Sequence, residues 1–121
     1  MKICFVGDTG TGYHRLSGWF YEKDIDITYT CDKDIDIIIF VFSLSRVGTF
    51  HHLPKLWKKY AHSCDMHIVV GNKLDLPRLV SYHEGDEWAT KQGAYYAECS
   101  ALTGENVADL INLCLYDSDS D

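Results

Sequence analysis

Four residues in the middle of the chain, Asn72-Lys73-Leu74-Asp75, carry the most specific chemistry in the sequence. They follow Met66-His67-Ile68-Val69-Val70-Gly71, a run rich in β-branched residues that reads as a buried strand closed by a glycine. In an open α/β sheet, ligands sit at the carboxyl ends of strands, which is where this tetrapeptide would project. An ionised aspartate there can accept two parallel N–H bonds from a purine edge that offers them. Guanine does so with its ring N–H and its exocyclic amine; adenine does not. Such a charged bidentate contact fixes geometry as well as energy. Missing it leaves buried polar groups unpaired, which is where strong discrimination comes from. The same residue types fill ordinary solvated turns, so the tetrapeptide gains meaning from company elsewhere in the chain.

That company stands at two places. The first is Gly7-Asp8-Thr9-Gly10-Thr11-Gly12-Tyr13-His14, directly after the short apolar strand Lys2-Ile3-Cys4-Phe5-Val6. Glycines at 7, 10 and 12 suit a loop whose backbone N–H groups converge on an anion, and equally a plain turn. The pattern G-x-x-x-x-G-K-[ST] is met at Gly7 and Gly12, but Tyr13 holds the lysine position and His14 the Ser/Thr position. The lysine would neutralise β- and γ-phosphate charge and the hydroxyl would ligate Mg²⁺. Tyr13 offers a hydrogen bond without a cation, and His14 suits an oxygen-preferring ion poorly, so a role for Mg²⁺ is doubtful. The second place is Ser100-Ala101-Leu102-Thr103-Gly104, a loop at the carboxyl end of the strand Tyr95–Cys99.

Composition excludes several other classes of function. A chain of 121 residues is one domain, able to bury roughly two thirds of its unfolded surface. With 11 basic against 18 acidic side chains the net charge is −7, which argues against generic nucleic-acid or anionic-membrane binding. The five cysteines are odd in number and lack C-x-x-C spacing, which argues against a disulfide framework or zinc site and for an intracellular, cytoplasmic setting. The six histidines include no H-E-x-x-H and read as surface or cap residues. The first residues pattern as a strand rather than a secretory leader. No run reaches the ~18 apolar residues of a membrane span, and the last residues carry no prenylation signal.

The elements that must position these residues can be read in order. Asp24–Thr30 alternates as a half-buried strand. Ile35–Phe42 is the most apolar run and reads as a central parallel strand covered on both faces; Ser43-Leu44-Ser45-Arg46 leaves it. Phe50, Leu53, Trp57 and Tyr60 recur at helical spacing, with Pro54 acceptable in a first turn. Ser81-Tyr82-His83-Glu84 has capping-box spacing for a helix reaching Lys91-Gln92 and stopped by Gly93. Val107, Leu110, Ile111, Cys114 and Leu115 form an amphipathic stripe for a closing helix, before acidic residues 117–121 that should fray.

Taken in order, these elements resemble the Ras superfamily of small GTPases, most clearly from Asp34 to Leu115. Gly71–Leu76 is similar to the family's guanine-specificity motif. Glu98–Thr103 resembles its second base-contacting loop in wording close to the Rho branch, and Gly7–Gly12 resembles the Ran and Rab wording of its phosphate loop. The resemblance implies a three-layer α/β fold of the P-loop NTPase kind over residues 1–116, with a reduced, mostly parallel sheet. It implies GTP or GDP as ligand. Asp75 would then read the base, Asn72 would brace the phosphate loop and touch the base, and Lys73 would cover the base's flat face. The Ala101 N–H would meet the guanine oxygen, with Ser100 holding the loop and Leu102 beside it. The backbone of Gly7, Asp8, Thr9, Gly10, Thr11, Gly12, Tyr13 and His14 would line the phosphates.

The middle of the family is missing. A helix, two switches, a two-strand hairpin and an Asp-x-x-Gly should stand between glycine loop and central strand, and only residues 15–34 are available. No Asp-x-x-Gly and no Gln occur there; Thr28 and Thr30 are the only candidates for a switch threonine, and the short 24–30 strand can pair with the free edge of the first strand. Three readings follow. One is a guanine-nucleotide-binding protein with weak or no hydrolysis and no conventional switch. Another is an interaction module that binds no nucleotide and engages protein partners of small-GTPase pathways. The last is an active minimal GTPase, with Arg15 in place of the lysine.

Overall fold

Every residue of Ile37–Ser43 is buried, and this strand (β3) is the centre of the sheet. Its side chains alternate between two apolar layers. Ile37, Ile39 and Val41 face one cluster, while Ile38, Phe40 and Phe42 face the other. A strand covered on both faces can be a continuous apolar run, which is why no polar residue interrupts it. The computed structural model describes residues 1–21 and 24–116; the acidic tail 117–121 lies outside the described residues.

Five strands pair in the order β2-β1-β3-β4-β5, with β1 at Lys2–Gly7, β2 at Asp26–Thr28, β4 at Met66–Asn72 and β5 at Tyr95–Glu98. Every pairing is parallel, so the sheet is wholly rather than mostly parallel. The expected 24–30 strand shrinks to three residues and pairs with β1 through Lys2 opposite Asp26 and Cys4 opposite Thr28. One strand therefore stands where the resemblance implies a two-strand hairpin. A three-residue edge with an exposed Asp26 offers little template for further pairing.

Helices α1 (Tyr13–Ser17) and α5 (Val107–Tyr116) cover one face, placing Leu16, Val107, Leu110 and Cys114 against Ile3, Phe5 and Ile68. Helices α2 (Val47–His51), α3 (Leu53–Tyr60) and α4 (Tyr82–Lys91) cover the other, with Leu53 and Ala89 against Cys4, Phe40 and Val69. The expected helix through Phe50–Tyr60 is broken at His52, because Pro54 lacks the N–H that would continue the ladder. The capping box at Ser81 and Glu84 is present, with both reciprocal bonds at 3.0 Å. The five cysteines are free thiols; Cys4 Sγ and Cys31 Sγ lie 2.8 Å apart, tying β1 to the segment after β2. Among the described residues no helix is long and apolar enough to cross a membrane.

One glycine is fixed by packing alone. A Cβ at Gly85, inside α4, would run into the phenol of Tyr96 on β5, whereas a Cβ at Gly48 in α2 meets nothing within 4 Å. Gly85→Ala is expected to destabilise the fold by about 1–3 kcal/mol through overpacking, and Gly48→Ala to stabilise it by roughly 0.5–1 kcal/mol through helix propensity. Urea unfolding of both variants checks the pair, and equal effects of the same sign would contradict this packing.

Candidate nucleotide site

The sheet places three loops at one end. The glycine loop leaves β1, the 43–46 loop leaves β3 and Asn72–Asp75 leaves β4. The strand order reverses direction between β1 and β3, and in open parallel sheets the crevice at such a switch point is the ligand site. The Ser100–Leu102 turn after β5 closes the far side.

Asn72 joins these parts. Its side chain is buried; Nδ2 donates to the Thr11 carbonyl at 2.7 Å, and Oδ1 accepts from the Ala101 N–H at 3.0 Å. One amide thus satisfies a buried acceptor in the glycine loop and a buried donor in the Ser-Ala turn. Cys99 Sγ also reaches Asn72 Oδ1 at 3.8 Å, and burial pushes that thiol up to about 12, so it remains a donor. Ser100 holds the carboxylate of the motif. Its hydroxyl donates to Asp75 Oδ1 at 2.6 Å and accepts from the Thr103 N–H at 3.1 Å. Asp75 is thereby oriented while staying exposed at the mouth of the cleft.

A cleft of about 260 Å³ is lined by Gly12, Arg15, Asn72, Lys73, Asp75, Leu76, Ala101 and Leu102. A second, of about 400 Å³, is lined by Thr9, Gly10, Gly12, Tyr13, His14 and Lys73. The two share Gly12 and Lys73, so they adjoin at the glycine loop. Gly10 and Gly12 have φ of 89° and 80°, a left-handed conformation that L side chains rarely adopt. A Cβ at Gly12 would also meet Asn72 Nδ2 at 2.7 Å. Lys73 itself has φ 69° and is carried over Gly12 by that turn.

Most of the residues singled out in the sequence come together here. Gly7 and Thr11 shape the loop from behind: Thr11 Oγ1 donates to the Asp8 carbonyl at 2.8 Å, and a Cβ at Gly7 would meet Thr11 Oγ1 at the same separation. Asp8 turns its carboxylate away to His52 Nδ1, at 2.7 and 2.9 Å. The Ala101 N–H is not available to a base, because Asn72 uses it. Leu102, the next residue, lines the same cleft as Asp75.

Tyr13 and His14 do something other than grip phosphate. Their rings pack at 4.4 Å, and His14 packs on Tyr29 at 4.2 Å. The Tyr29 hydroxyl lies 2.6 Å from Ser17 Oγ. An aromatic cluster fills the side of the loop where a lysine and a metal-binding hydroxyl would stand in the family. This donor set does not fit Mg²⁺, which takes oxygen ligands in near-octahedral array, and no group of three His, Cys, Asp or Glu among the described residues could hold a metal.

Three contributors carry no sequence signature. Trp19 Nε1 donates to the Ala101 carbonyl at 2.7 Å and backs the Ser-Ala turn. His52 fixes Asp8. Arg46 lies against Gly10. Only the position of Arg46, just beyond the carboxyl end of the most apolar strand, could have marked it in advance.

A doubly wound parallel sheet with a glycine loop after the first strand and an Asn-Lys-x-Asp turn beside it defines a nucleotide-binding fold of the P-loop type. Comparison with known proteins agrees: the sequence profile of the Ras family matches residues 21–118, and the chain belongs to that family. Similar proteins from Arabidopsis thaliana include RABA4e, 27% identical over 132 residues that take in 94% of this chain and 75% of that protein. Ras-related protein RABA5a is 42% identical over 76 residues, 58% of this chain and 34% of that protein. Ras-related protein RABC1 is 39% identical over 77 residues, again 58% of this chain and 36% of that protein. The chain thus spans three quarters of the first and about a third of the other two. These relatives carry RAB names, so the Rho-like and Ran-like wording of single motifs does not set the branch.

The brace makes a prediction that needs no ligand. Asn72→Ala strands the buried Thr11 carbonyl and Ala101 N–H, and is expected to cost about 1–3 kcal/mol. Urea unfolding measures it, and an unchanged midpoint would show that the loops are held some other way.

Proposed function

We propose that the paired clefts bind a guanine nucleotide, with the base in the smaller one and its phosphates against the glycine loop. The observation that carries the reading is Asp75, oriented by Ser100 and lining the same cleft as Gly12, Lys73 and Leu102. A carboxylate so held accepts the two N–H groups of guanine and repels the corresponding edge of adenine. The Leu102 N–H donates to the base oxygen and the Lys73 stem covers the base.

The protein hydrolyses GTP very slowly or not at all. Phosphoryl transfer depends on positioning and on neutralising developing charge. Tyr13 and His14 supply neither lysine charge nor a magnesium ligand, and the aromatic cluster with Tyr29 takes up their side of the loop. Arg15 lines the cleft of Asp75 rather than that of Thr9 and Gly10, so it does not stand in for the lysine. With no group reserved for a third phosphate, GDP and GTP have no differential contact through which to bias a conformational switch. The same aromatic cluster favours the second reading, a family scaffold that binds protein partners without nucleotide.

Titration with fluorescent GDP, GTP and ADP, with magnesium and with EDTA, separates these. The expected result is binding of GDP and GTP with similar affinity, insensitive to EDTA, and no binding of ADP. Asp75→Ala is expected to lower guanine affinity at least tenfold, about the 1.4 kcal/mol that a charged contact readily exceeds. Absence of binding by any guanine nucleotide would support the partner-binding scaffold instead, and magnesium-dependent release of inorganic phosphate would overturn the loss of hydrolysis.

A further inference from the structure

The chain carries a net charge of −7, yet three cations gather round its glycine loop. The side chains of Arg15, Lys73 and Arg46 form no ion pair and no hydrogen bond among the described residues, whose ion pairs are Lys2–Asp32, His52–Asp8, Arg78–Glu98 and His83–Glu87. The loop's own acid, Asp8, is occupied by His52 and so does not neutralise them. Unpaired positive charge held beside a glycine loop is the electrostatic footprint of an anion site.

The three cations divide the cleft. Arg15 lines its base side, and Lys73 lines both that side and the cleft at the glycine loop. Arg46 stands beyond it: its guanidinium occupies the space that a Cβ on Gly10 would enter. The backbone that carries it is fixed. The Arg46 N–H donates to the Ser43 carbonyl at 3.1 Å, and the Arg46 carbonyl accepts from Thr49 Oγ1 at 2.8 Å. Thr49 Oγ1 also accepts from the Ser43 N–H at 2.8 Å, while the Leu44 N–H is tied to the Asn72 carbonyl at 3.0 Å. The 43–46 loop is therefore pinned to both β4 and α2, and it leaves β3 beside the switch point. A side chain longer than glycine at position 10 would exclude the guanidinium from the loop.

We propose that Arg46 is the phosphate-binding cation of this site, gripping the second phosphate of a nucleoside diphosphate from the β3–α2 loop. It supplies the charge that the glycine loop's own lysine position, Tyr13, does not. The inference rests on the guanine-nucleotide reading and extends it by assigning the residue that recognises the distal phosphate of the diphosphate. The guanidinium presents paired donors in a fixed fork that matches phosphate oxygens, so no metal is required to hold that end.

Calorimetric titration with guanosine, GMP and GDP in EDTA tests it, on the wild-type chain and on Arg46→Gln and Arg46→Lys. The wild type is expected to bind GDP at least tenfold tighter than GMP. Arg46→Gln should bring that ratio near one while leaving guanosine affinity unchanged, and Arg46→Lys should restore part of it. Because Arg46 is exposed, neither variant threatens the fold. A GDP-to-GMP ratio that survives in Arg46→Gln, or a wild type that binds guanosine and GDP equally, would overturn the role of Arg46 and leave the guanine reading standing. A wild type that binds none of the three would overturn both.

Discussion

The arrangement depends on one side-chain amide. Asn72 sits at the last position of β4, where a strand buried on both faces gives way to a loop, and its two polar atoms point to opposite sides. Thr11 and Ala101, the residues it joins, are 61 and 29 positions away in sequence. An asparagine is the shortest side chain that presents a donor and an acceptor in a rigid plane, and here neither end faces water. Because the carbonyl and N–H it satisfies are buried, the interaction is worth most when both bonds form together, since a half-satisfied buried network is costly. The glycine loop and the Ser-Ala turn are therefore locked to one strand end, and Asp75, three residues on, inherits a fixed position.

Shortening the chain between β1 and β3 leaves this lock untouched. The absent hairpin would have extended the sheet on the β1 side, away from β4 and β5. What remains is a three-residue β2 that pairs with β1 and a short α1 whose Leu16 reaches the core. Base-side geometry is made mainly by residues after Ser43, with Gly12, Arg15 and Trp19 contributing from before it. Phosphate-side geometry in the family draws on the segment that is missing, and here Tyr29 from that segment packs on His14 instead. The two halves of the site differ for a topological reason: one is built from strands that were kept, the other faced strands that were not.

How far the sequence disclosed this follows the same division. β4, α4 and β5 were legible because their signals are local: a β-branched run ending in glycine, a capping box at Ser81 and Glu84, and a stop at Gly93. Asn72, Asp75 and Ser100 were legible because each lies within a few residues of a strand end, so their meeting follows from the parallel order of the strands. The extent of β2 was not, since three residues of pairing depend on the neighbouring edge rather than on the alternation of residues 24–30. The break at His52 hid inside an unbroken apolar period from Phe50 to Tyr60. Trp19, His52 and Arg46 act across long sequence separations through a single contact each, and a lone residue in a loop leaves no pattern to read. The bond from the Ala101 N–H to Asn72, a group the resemblance assigned to a base, is likewise a contact that no local pattern announced.

The base side is also tied to a further hydrogen-bonded group around Glu98. Arg78 forms two parallel bonds to Glu98, at 2.7 and 2.9 Å, fastening the segment after Asp75 to the end of β5. Glu98 is itself almost buried and accepts a third bond from the Tyr96 hydroxyl at 2.7 Å. Burial, with that carboxylate beside it, pushes the Tyr96 phenol well above its ordinary value, so the donor persists. A fully bonded network around a nearly buried carboxylate fixes geometry more than it adds stability. It couples the two turns that carry Asp75 and Ser100 from below, as Asn72 couples them from above. On the glycine-loop side the backbone is held by the His52–Asp8 and Asn72–Thr11 contacts, while the side chains of Tyr13 and His14 meet through ring packing and the Arg46 guanidinium has no partner among the described residues. If the clefts bind a guanine nucleotide as proposed, its base meets side chains already held by hydrogen bonds, while its phosphates meet cations that have no partner among the described residues.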